Sequence, residues 1–324
     1  RRQGKAHVHG SDRAMKPILL AVLCLLAAPA GAGYFDSSER GTTSAKFLEL
    51  GVGARAASMG EAYSAVADDA TALYWNPAAL TQIKRRSVTF MHASYVNTSY
   101  FDYAAYGQHL GERAAVGTGL QYFSAGKITQ TDATGTDIGG ITPYDLAVSL
   151  GFAYKLQGLL DGYSAGLGAK FIQSRIIHTA QTEAVDAGVL SPALLGDRLK
   201  LAITMTNLGG TLQFDQAPEP LPFAVKFGGV YKAGERLLVA ADLGLPSNDR
   251  PFLALGTEYR VRGTGAWSFA GRAGFNSQTI GSIDGFTGVS FGLGIGFDGC
   301  AMDYAFVPLG AVGQSHLLSL TYSF

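Results

Sequence analysis

TGVSFGLGIGF, residues 287–297, alternates without a break. Val289, Phe291, Leu293, Ile295 and Phe297 fall on one side of an extended chain, and Gly288, Ser290, Gly292, Gly294 and Gly296 on the other. Successive side chains of a strand point to opposite faces, so this is a strand with one large apolar face and one nearly bare one. The pattern recurs. In 145–155, Leu146, Val148, Leu150, Phe152 and Tyr154 alternate with Asp145, Ala147, Ser149, Gly151, Ala153 and Lys155. In 199–206, Leu199, Leu201, Ile203 and Met205 oppose Lys200, Ala202, Thr204 and Thr206.

The bare face decides the environment. A soluble sandwich turns its large residues into a core and meets water with charged ones. Here the second face is mostly Gly, Ala and Ser, with only scattered charges such as Lys155, Lys170, Lys200, Lys226, Asp242, Glu258 and Arg272. Large side chains toward lipid and small or polar ones toward a lumen fit this pattern. Unpaired edge groups in lipid cost several kcal/mol each, so the sheet must close on itself. The fold class expected is therefore all-β, a closed antiparallel transmembrane β-barrel of about 14 strands. Strand starts fall near Arg86, Ser99, Arg113, Pro143, Tyr163, Thr182, Leu199, Pro222, Arg236, Pro251, Ala266, Thr287, Cys300 and His316. If strand one runs outward, the long links (124–142, 209–221, 276–286) all follow odd strands, while the tight turns 110–112, 232–235 and 298–299 follow even ones. Links 156–162 and 190–198 are longer than that scheme asks. Aromatic residues near strand ends, among them Tyr95, Tyr100, Phe101, Tyr103, Tyr106, Tyr122, Phe123, Tyr154, Tyr231, Tyr259, Trp267 and Tyr322, read as interfacial girdles.

The chain has 324 residues with 43 Gly, 15% charged residues and a net charge of zero, which leaves no nucleic-acid footprint. Met15-Lys16, the apolar run 18–28 and Ala30-Gly31-Ala32 form a secretory signal, 15–32, with cleavage expected after Ala32. Its apolar core is shorter than the ~20 residues a helix needs to span a bilayer. Residues 1–14 read as an extension ahead of the true start. Cys24 lies in the signal and Cys300 stands alone after it, so neither a disulfide framework nor a metal-ligand cluster is expected.

Residues 46–80, KFLELGVGARAASMGEAYSAVADDATALYWNPAAL, break the rhythm. They are small-residue-rich, with short helices expected over 47–50 and 56–66, and with Asp68 or Asp69 capping a turn that runs to Tyr74. Pro77 disfavours helix at Asn76. The segment reads as a plug, giving an N-terminal plug or hatch over 33–83 and a barrel over 84–324. Close packing of the plug is assigned to Gly51, Gly53 and Gly60, and Arg55, Tyr74 and Trp75 are candidates for lining the lumen or a ligand.

This stretch resembles the N-terminal region of the PorV/PorQ outer-membrane proteins, a family related to the FadL long-chain fatty acid transporters. The shared marker is the hatch motif Asn76-Pro77-Ala78. Residues 303–324, DYAFVPLGAVGQSHLLSLTYSF, resemble that family's last two strands, and Asn207-Leu208-Gly209-Gly210 is a further marker. Leu318, Leu320, Tyr322 and the terminal Phe324 resemble the signal read by the barrel assembly machinery. The resemblance implies the outer membrane of a diderm bacterium. It also implies either a type IX secretion role, with secreted cargo C-terminal domains and secretion-system components as partners, or uptake of a hydrophobic ligand. No cofactor, metal or enzyme activity is expected. Gly51-Val52-Gly53 and Gly292/Gly294/Gly296 do not complete a dinucleotide fingerprint. His92, His109, His178 and His316 show no metal-ligand spacing, and the offset of three between His316 and Ser319 puts that pair on opposite faces.

Overall fold

The computed structural model describes residues 41–96, 98–214, 217–280 and 283–324. The expected signal and the extension ahead of it lie outside these residues. Fourteen strands close into one antiparallel barrel. They are β1 (Arg86–Ser94), β2 (Tyr100–Leu110), β3 (Ala114–Ser124), β6 (Tyr144–Lys155), β7 (Ser164–Arg175), β8 (Thr179–Leu190), β9 (Leu199–Leu208), β12 (Ala224–Lys232), β13 (Leu237–Pro246), β14 (Phe252–Arg262), β15 (Trp267–Asn276), β16 (Val289–Phe297), β17 (Cys300–Pro308) and β18 (Gln314–Ser323). Each starts no more than three residues from its expected position. Two hairpins stand in the long links: β4 (Ile128–Thr131) with β5 (Asp137–Ile141), and β10 (Thr211–Gln213) with β11 (Pro218–Pro220).

Closure is the seam between β1 and β18, in register from Ser87↔Ser323 to Ser94↔His316. Arg86 and Phe324 extend it, each amide donating to the other's carbonyl at 3.1 Å. A spanning sheet needs this, since an open edge leaves a row of unsatisfied amides in hydrocarbon. The last strand turns Leu318, Leu320 and Tyr322 outward, and Phe324 stacks on Tyr322 with ring centroids 5.2 Å apart.

The alternation sorts as the sequence requires. Phe90, Leu150, Leu293 and Ile295 point outward, while Ala93, Ala115, Ala147, Ala254 and Ala305 point inward and are fully buried against the plug. Phe101 and Tyr103 also point inward and are buried, so they leave the expected girdle and pack the lumen. They occupy the odd positions of β2, whereas Tyr100 and Tyr106 occupy the even, outward ones. His316 is exposed and Ser319 buried, on opposite faces of β18.

The plug is less helical than expected. The 56–66 helix shrinks to α1 (Ala54–Ala57), and turns follow it. Gly60 and Glu61 take positive φ (64° and 67°), which a continuing helix does not allow. A second single turn, α2 (Ala72–Trp75), and two 3₁₀ turns, Lys46–Glu49 and Pro77–Gln82, complete it. Neither candidate caps α2 directly, because Thr71 is its N-cap and makes no side-chain capping bond; Asp69 Oδ1 accepts from the Thr71 amide at 2.8 Å in the turn just ahead. Asp68 pairs with Arg55 instead.

The bare inner face makes room for the plug's backbone. A Cβ at Gly274 would run into the backbone nitrogen of Gly60, one at Gly256 into the Met59 carbonyl, and one at Gly292 into Ser58. By contrast, Gly271 on the outward face of the same β15 has nothing within 4 Å of its added Cβ. Gly274→Leu is therefore expected to unseat the 58–60 loop, speeding proteolysis of 46–83 and raising single-channel conductance. Gly271→Leu is the matched control and should change neither.

Candidate functional site

The Asn-Pro-Ala motif sits where the plug meets the wall. Asn76 is fully buried in extended backbone (φ −164°), and its Oδ1 accepts from the Ala78 amide at 3.0 Å, capping the Pro77–Gln82 turn. Proline suits the first position of such a turn, because its missing N–H would be unpaired there anyway. Asn76 Nδ2 donates to the Ser64 carbonyl at 3.1 Å and, at 3.5 Å, to the Val189 carbonyl on β8. The wall opposite is glycine. A Cβ at Gly166 on β7 would strike Pro77 and Ala78, and one at Gly188 on β8 would strike Asn76 Oδ1.

Elsewhere, lumen side chains bond the plug's spare amides. Ser319 Oγ accepts from Ala54 N at 2.7 Å, Ser290 Oγ from Gly60 N at 3.1 Å, and Ser87 Oγ from Ala70 N at 3.2 Å. Asp242 Oδ2 accepts from the amides of Tyr63 (3.2 Å) and Ser64 (3.0 Å) and from Ser64 Oγ (2.5 Å). Irregular backbone is tolerated inside a barrel only when its polar groups find partners.

Arg55, a candidate for facing the lumen, is the plug's main ionic anchor. Its Nε and Nη2 reach the two oxygens of Glu258 at 2.8 and 3.1 Å, and its Nη1 reaches Asp68 at 2.6 Å. Glu258 also accepts from Arg272 Nε (2.7 Å) and Arg260 Nη2 (3.1 Å), and Arg272 Nη1 continues to Asp303 at 2.7 Å. A polar basin of about 230 Å³ lies against this network on the periplasmic side. Among the described residues no group of three His, Cys, Asp or Glu is arranged to hold a metal.

Beside the plug, Tyr74 and Trp75 line a cavity of about 40 Å³ with Glu61 and Lys226. The Lys226 ammonium lies 5.0 Å from the Trp75 ring centre, and Trp75 Nε1 donates to the Val52 carbonyl at 2.9 Å. Gly51 fits here because a Cβ would collide with the Glu61 carboxylate, and Gly53 takes φ 90°. The predicted glycines and aromatics thus gather in one plug. Burial pushes the Glu61 carboxyl up from its ordinary value, Lys226 pulls it back by less, and Glu49 adds to the rise. Asp69 is raised in the same way, by burial first and by Asp68 second.

Sequence reasoning missed a buried cluster in the wall. Lys170 Nζ on β7 lies 2.8 Å from Asp186 Oδ2 on β8 and 2.8 Å from Asn207 Oδ1 on β9. The Asn207 amide donates to Asp186 Oδ1 at 2.8 Å. The β8–β9 register shifts here, with Val185 opposite Leu208 but Ala187 opposite Met205. Asn207 takes φ 59°, so the expected turn marker is a β-bulge inside the strand. The signal was present in principle: inward Lys and Asp on neighbouring strands, and an Asn-Leu-Gly-Gly stretch suited to positive φ.

A wider hollow of about 540 Å³ opens at the end of the barrel that carries the β4–β5 and β10–β11 hairpins. This end is the extracellular mouth, since outer-membrane barrels place their longer links outside and their short turns in the periplasm. Phe47 and Leu50 of the plug form its floor, and Tyr144, Ile176, Phe214 and Val312 stand around it, with Asp145 and Arg175 at the rim. The β10–β11 hairpin is strapped to the plug by the Ser44 amide, which donates to the Pro220 carbonyl at 3.0 Å. A second cavity of about 190 Å³ shares Leu50, Tyr95 and Leu309 with the mouth hollow.

Comparison with known proteins matches residues 36–196 to the family of the type IX secretion system protein PorV. No curated protein matches. Among solved structures, the Pseudomonas putida toluene transporter TodX is similar with a TM-score of 0.57 at 14% identity, over 85% of this chain and 98% of that one. The Ralstonia pickettii toluene transporter TbuX gives 0.54 at 14%, over 85% and 98%. A Pseudomonas aeruginosa FadL homologue gives 0.54 at 12%, over 84% and 98%. At these identities the three structures establish a shared fold. With the closed barrel and its lipid-facing band, they assign the chain to the outer membrane.

Removing one partner of a buried ion pair typically costs about 3 kcal/mol or more. Arg55→Met leaves Glu258 with Arg272 and Arg260, so the expected loss falls on the plug. Amide protection over 46–83 should drop while the barrel's heat-modifiable migration stays unchanged. The raised carboxyls give the plug stability that is complete below their unfolded values of about 4. That stability fades as pH rises through the higher folded values. Glu61→Gln should flatten this part of the pH dependence of plug protection.

Proposed function

We propose, for a chain whose residues 36–196 match the PorV family, that this outer-membrane barrel is a secretion-linked component that holds exported cargo at its extracellular mouth. The observation that carries the reading is where the space lies. The mouth hollow measures about 540 Å³, within the ~300–1,000 Å³ typical of binding pockets, whereas the three cavities beside the plug measure about 40, 190 and 230 Å³. An apolar floor with Asp145, Arg175 and Glu219 among its lining residues suits an apolar side chain presented by a folded secreted domain. Cargo C-terminal domains and secretion-system components are the partners this reading calls for.

In this reading residues 33–83 act as the plug and 84–324 as the barrel. Asn76, Pro77 and Ala78 hold the hatch to the wall, Gly51, Gly53 and Gly60 let it pack, and Leu318, Leu320, Tyr322 and Phe324 serve the barrel assembly machinery. The plug's contacts to the wall favour a platform over a diffusion pore, and no catalytic step is assigned.

A FadL-like transport of hydrophobic small molecules is the second reading. One observation favours it: the mouth hollow and the 190 Å³ cavity share Leu50, Tyr95 and Leu309, which makes a stepped route from the mouth to the plug.

Native purification from the outer membrane, with mass spectrometry of co-eluting species, separates the two. A secreted protein that co-elutes and cross-links to a photoreactive residue at Ile176 is the expected result. A bound apolar small molecule with no protein partner, and labelled-ligand uptake that slows in Asn76→Ala, would replace this reading with transport.

A further inference from the structure

The outer wall is not the same all the way round at its extracellular end. Over β13–β16 the outward residues there are Leu243, Leu253, Leu255, Phe275, Val289 and Phe291, all apolar. From β17 through β1 to β8 the same level carries rings and hydrogen-bonding groups. Tyr304 Oη lies 2.7 Å from His316 Nδ1, and His92 Nδ1 lies 2.7 Å from Asp102 Oδ1. Gln173 Nε2 donates to Tyr144 Oη at 2.9 Å, and Gln181 Nε2 to Gln173 Oε1 at 2.8 Å. Four rings stand in single file along β1, β2, β3 and β6: His92–Tyr100 at 6.0 Å, Tyr100–Tyr122 at 6.1 Å and Tyr122–Tyr144 at 5.9 Å between centroids.

Height makes the contrast quantitative. On β13 outward apolar residues run from Leu237 to Leu245; on β8 they run only from Val185 to Val189, and Glu183 and Gln181 face outward above them. At ~3.3 Å per residue and a tilt near 40°, these bands are about 20 Å and about 10 Å tall. The side chains of His92 and Asp102 are 57% and 45% exposed. A carboxylate on the lipid face is unfavourable within hydrocarbon and tolerated near the interface. This arc therefore meets headgroups where the opposite arc meets acyl chains.

We propose that the arc from β17 to β8 is a docking surface for the saccharide headgroup of an outer-leaflet glycolipid, with Tyr100, Tyr122 and Tyr144 as the stacking platform. The outer leaflet of a diderm outer membrane is built from such glycolipids, so this occupant lies beside the arc wherever the barrel resides. A sugar offers C–H faces to the rings and hydroxyls to Asp102, Gln173 and Gln181, and the exposed Arg175 at the top of β7 suits an attached phosphate. The platform shares Tyr144 and Arg175 with the lining of the mouth hollow, and Tyr100, Tyr122, Gln173 and Gln181 lie outside that lining.

The test places the barrel in nanodiscs containing a lipid A–core glycolipid and phosphatidylethanolamine, and counts the lipids retained by native mass spectrometry. Tyr122→Leu with Tyr144→Leu should retain at least fivefold less glycolipid than wild type, while Phe291→Leu on the opposite arc retains as much. Heat-modifiable migration confirms that each variant is folded. Equal retention by wild type and the double variant overturns the proposal. Retention lost on enzymatic dephosphorylation of the glycolipid, with the tyrosines immaterial, replaces the saccharide with phosphate and overturns it too. An independent readout uses Gln181→Cys in a Cys300→Ser background, labelled with a fluorophore. Quenching by spin labels at the headgroup is expected. Quenching by labels deep in the acyl chain, or a co-purifying protein that shields the label, rejects the glycolipid as occupant.

Discussion

Every backbone N–H and C=O in this protein that lies away from water has to find a partner inside the chain, and that requirement shapes both halves of the molecule. In the wall it is met by closure, with β18 returning to β1 so that no strand keeps an open edge. In the lumen it is harder, because the plug is mostly turns, whose own backbone bonds leave some amides, such as those of Ala54 and Ala70, to find partners elsewhere. The wall answers with side chains: Ser319, Ser290, Ser87 and Asp242 each accept from a plug amide. The lumen face is thus a complementary surface for one particular irregular segment.

The charged residues belong to the same account. Glu258 collects three arginines, one from the plug and two from the wall, and Lys170, Asp186 and Asn207 form a second closed group. Burying such pairs gains little stability, because desolvation offsets most of the attraction, but losing one partner is costly. Their effect is positional. The Arg55–Glu258 pair fixes α1 against β14, and the Lys170 group fixes the bulge that ends the β8–β9 pairing. With the plug held at Gly166 and Gly188 from one side and at Glu258 from another, the wider hollows lie at the mouth, about 540 Å³, and on the wall at β6–β9, about 480 Å³.

Strand identity, order and facing were legible because a strand's period is two and lipid demands large apolar residues on one face. β8 is a case in point: it begins three residues ahead of the expected Thr182, because Gln181 and Glu183 face outward and blur its alternation, and pairing with β7 fixes it. Phe101 and Tyr103 were assigned to the girdle from residue type alone; their odd positions in β2 already excluded it. The plug's helices were overestimated because small residues favour helix in isolation, while positive φ at Gly60 and Glu61 is selected by the fit against β15.

The sequence by itself determined the barrel: its strand number, which faces meet lipid, and a distinct N-terminal segment marked by Asn76-Pro77-Ala78. These follow from local rules of period, residue size and turn type. Only the tertiary structure decided which wall residues meet which plug residues. The bonds of Arg55 to Glu258, Asn76 to Val189 and Ser44 to Pro220 each join positions more than a hundred residues apart. No local pattern encodes them, because they arise from the stagger of a closed sheet and from the path of an irregular chain threaded inside it.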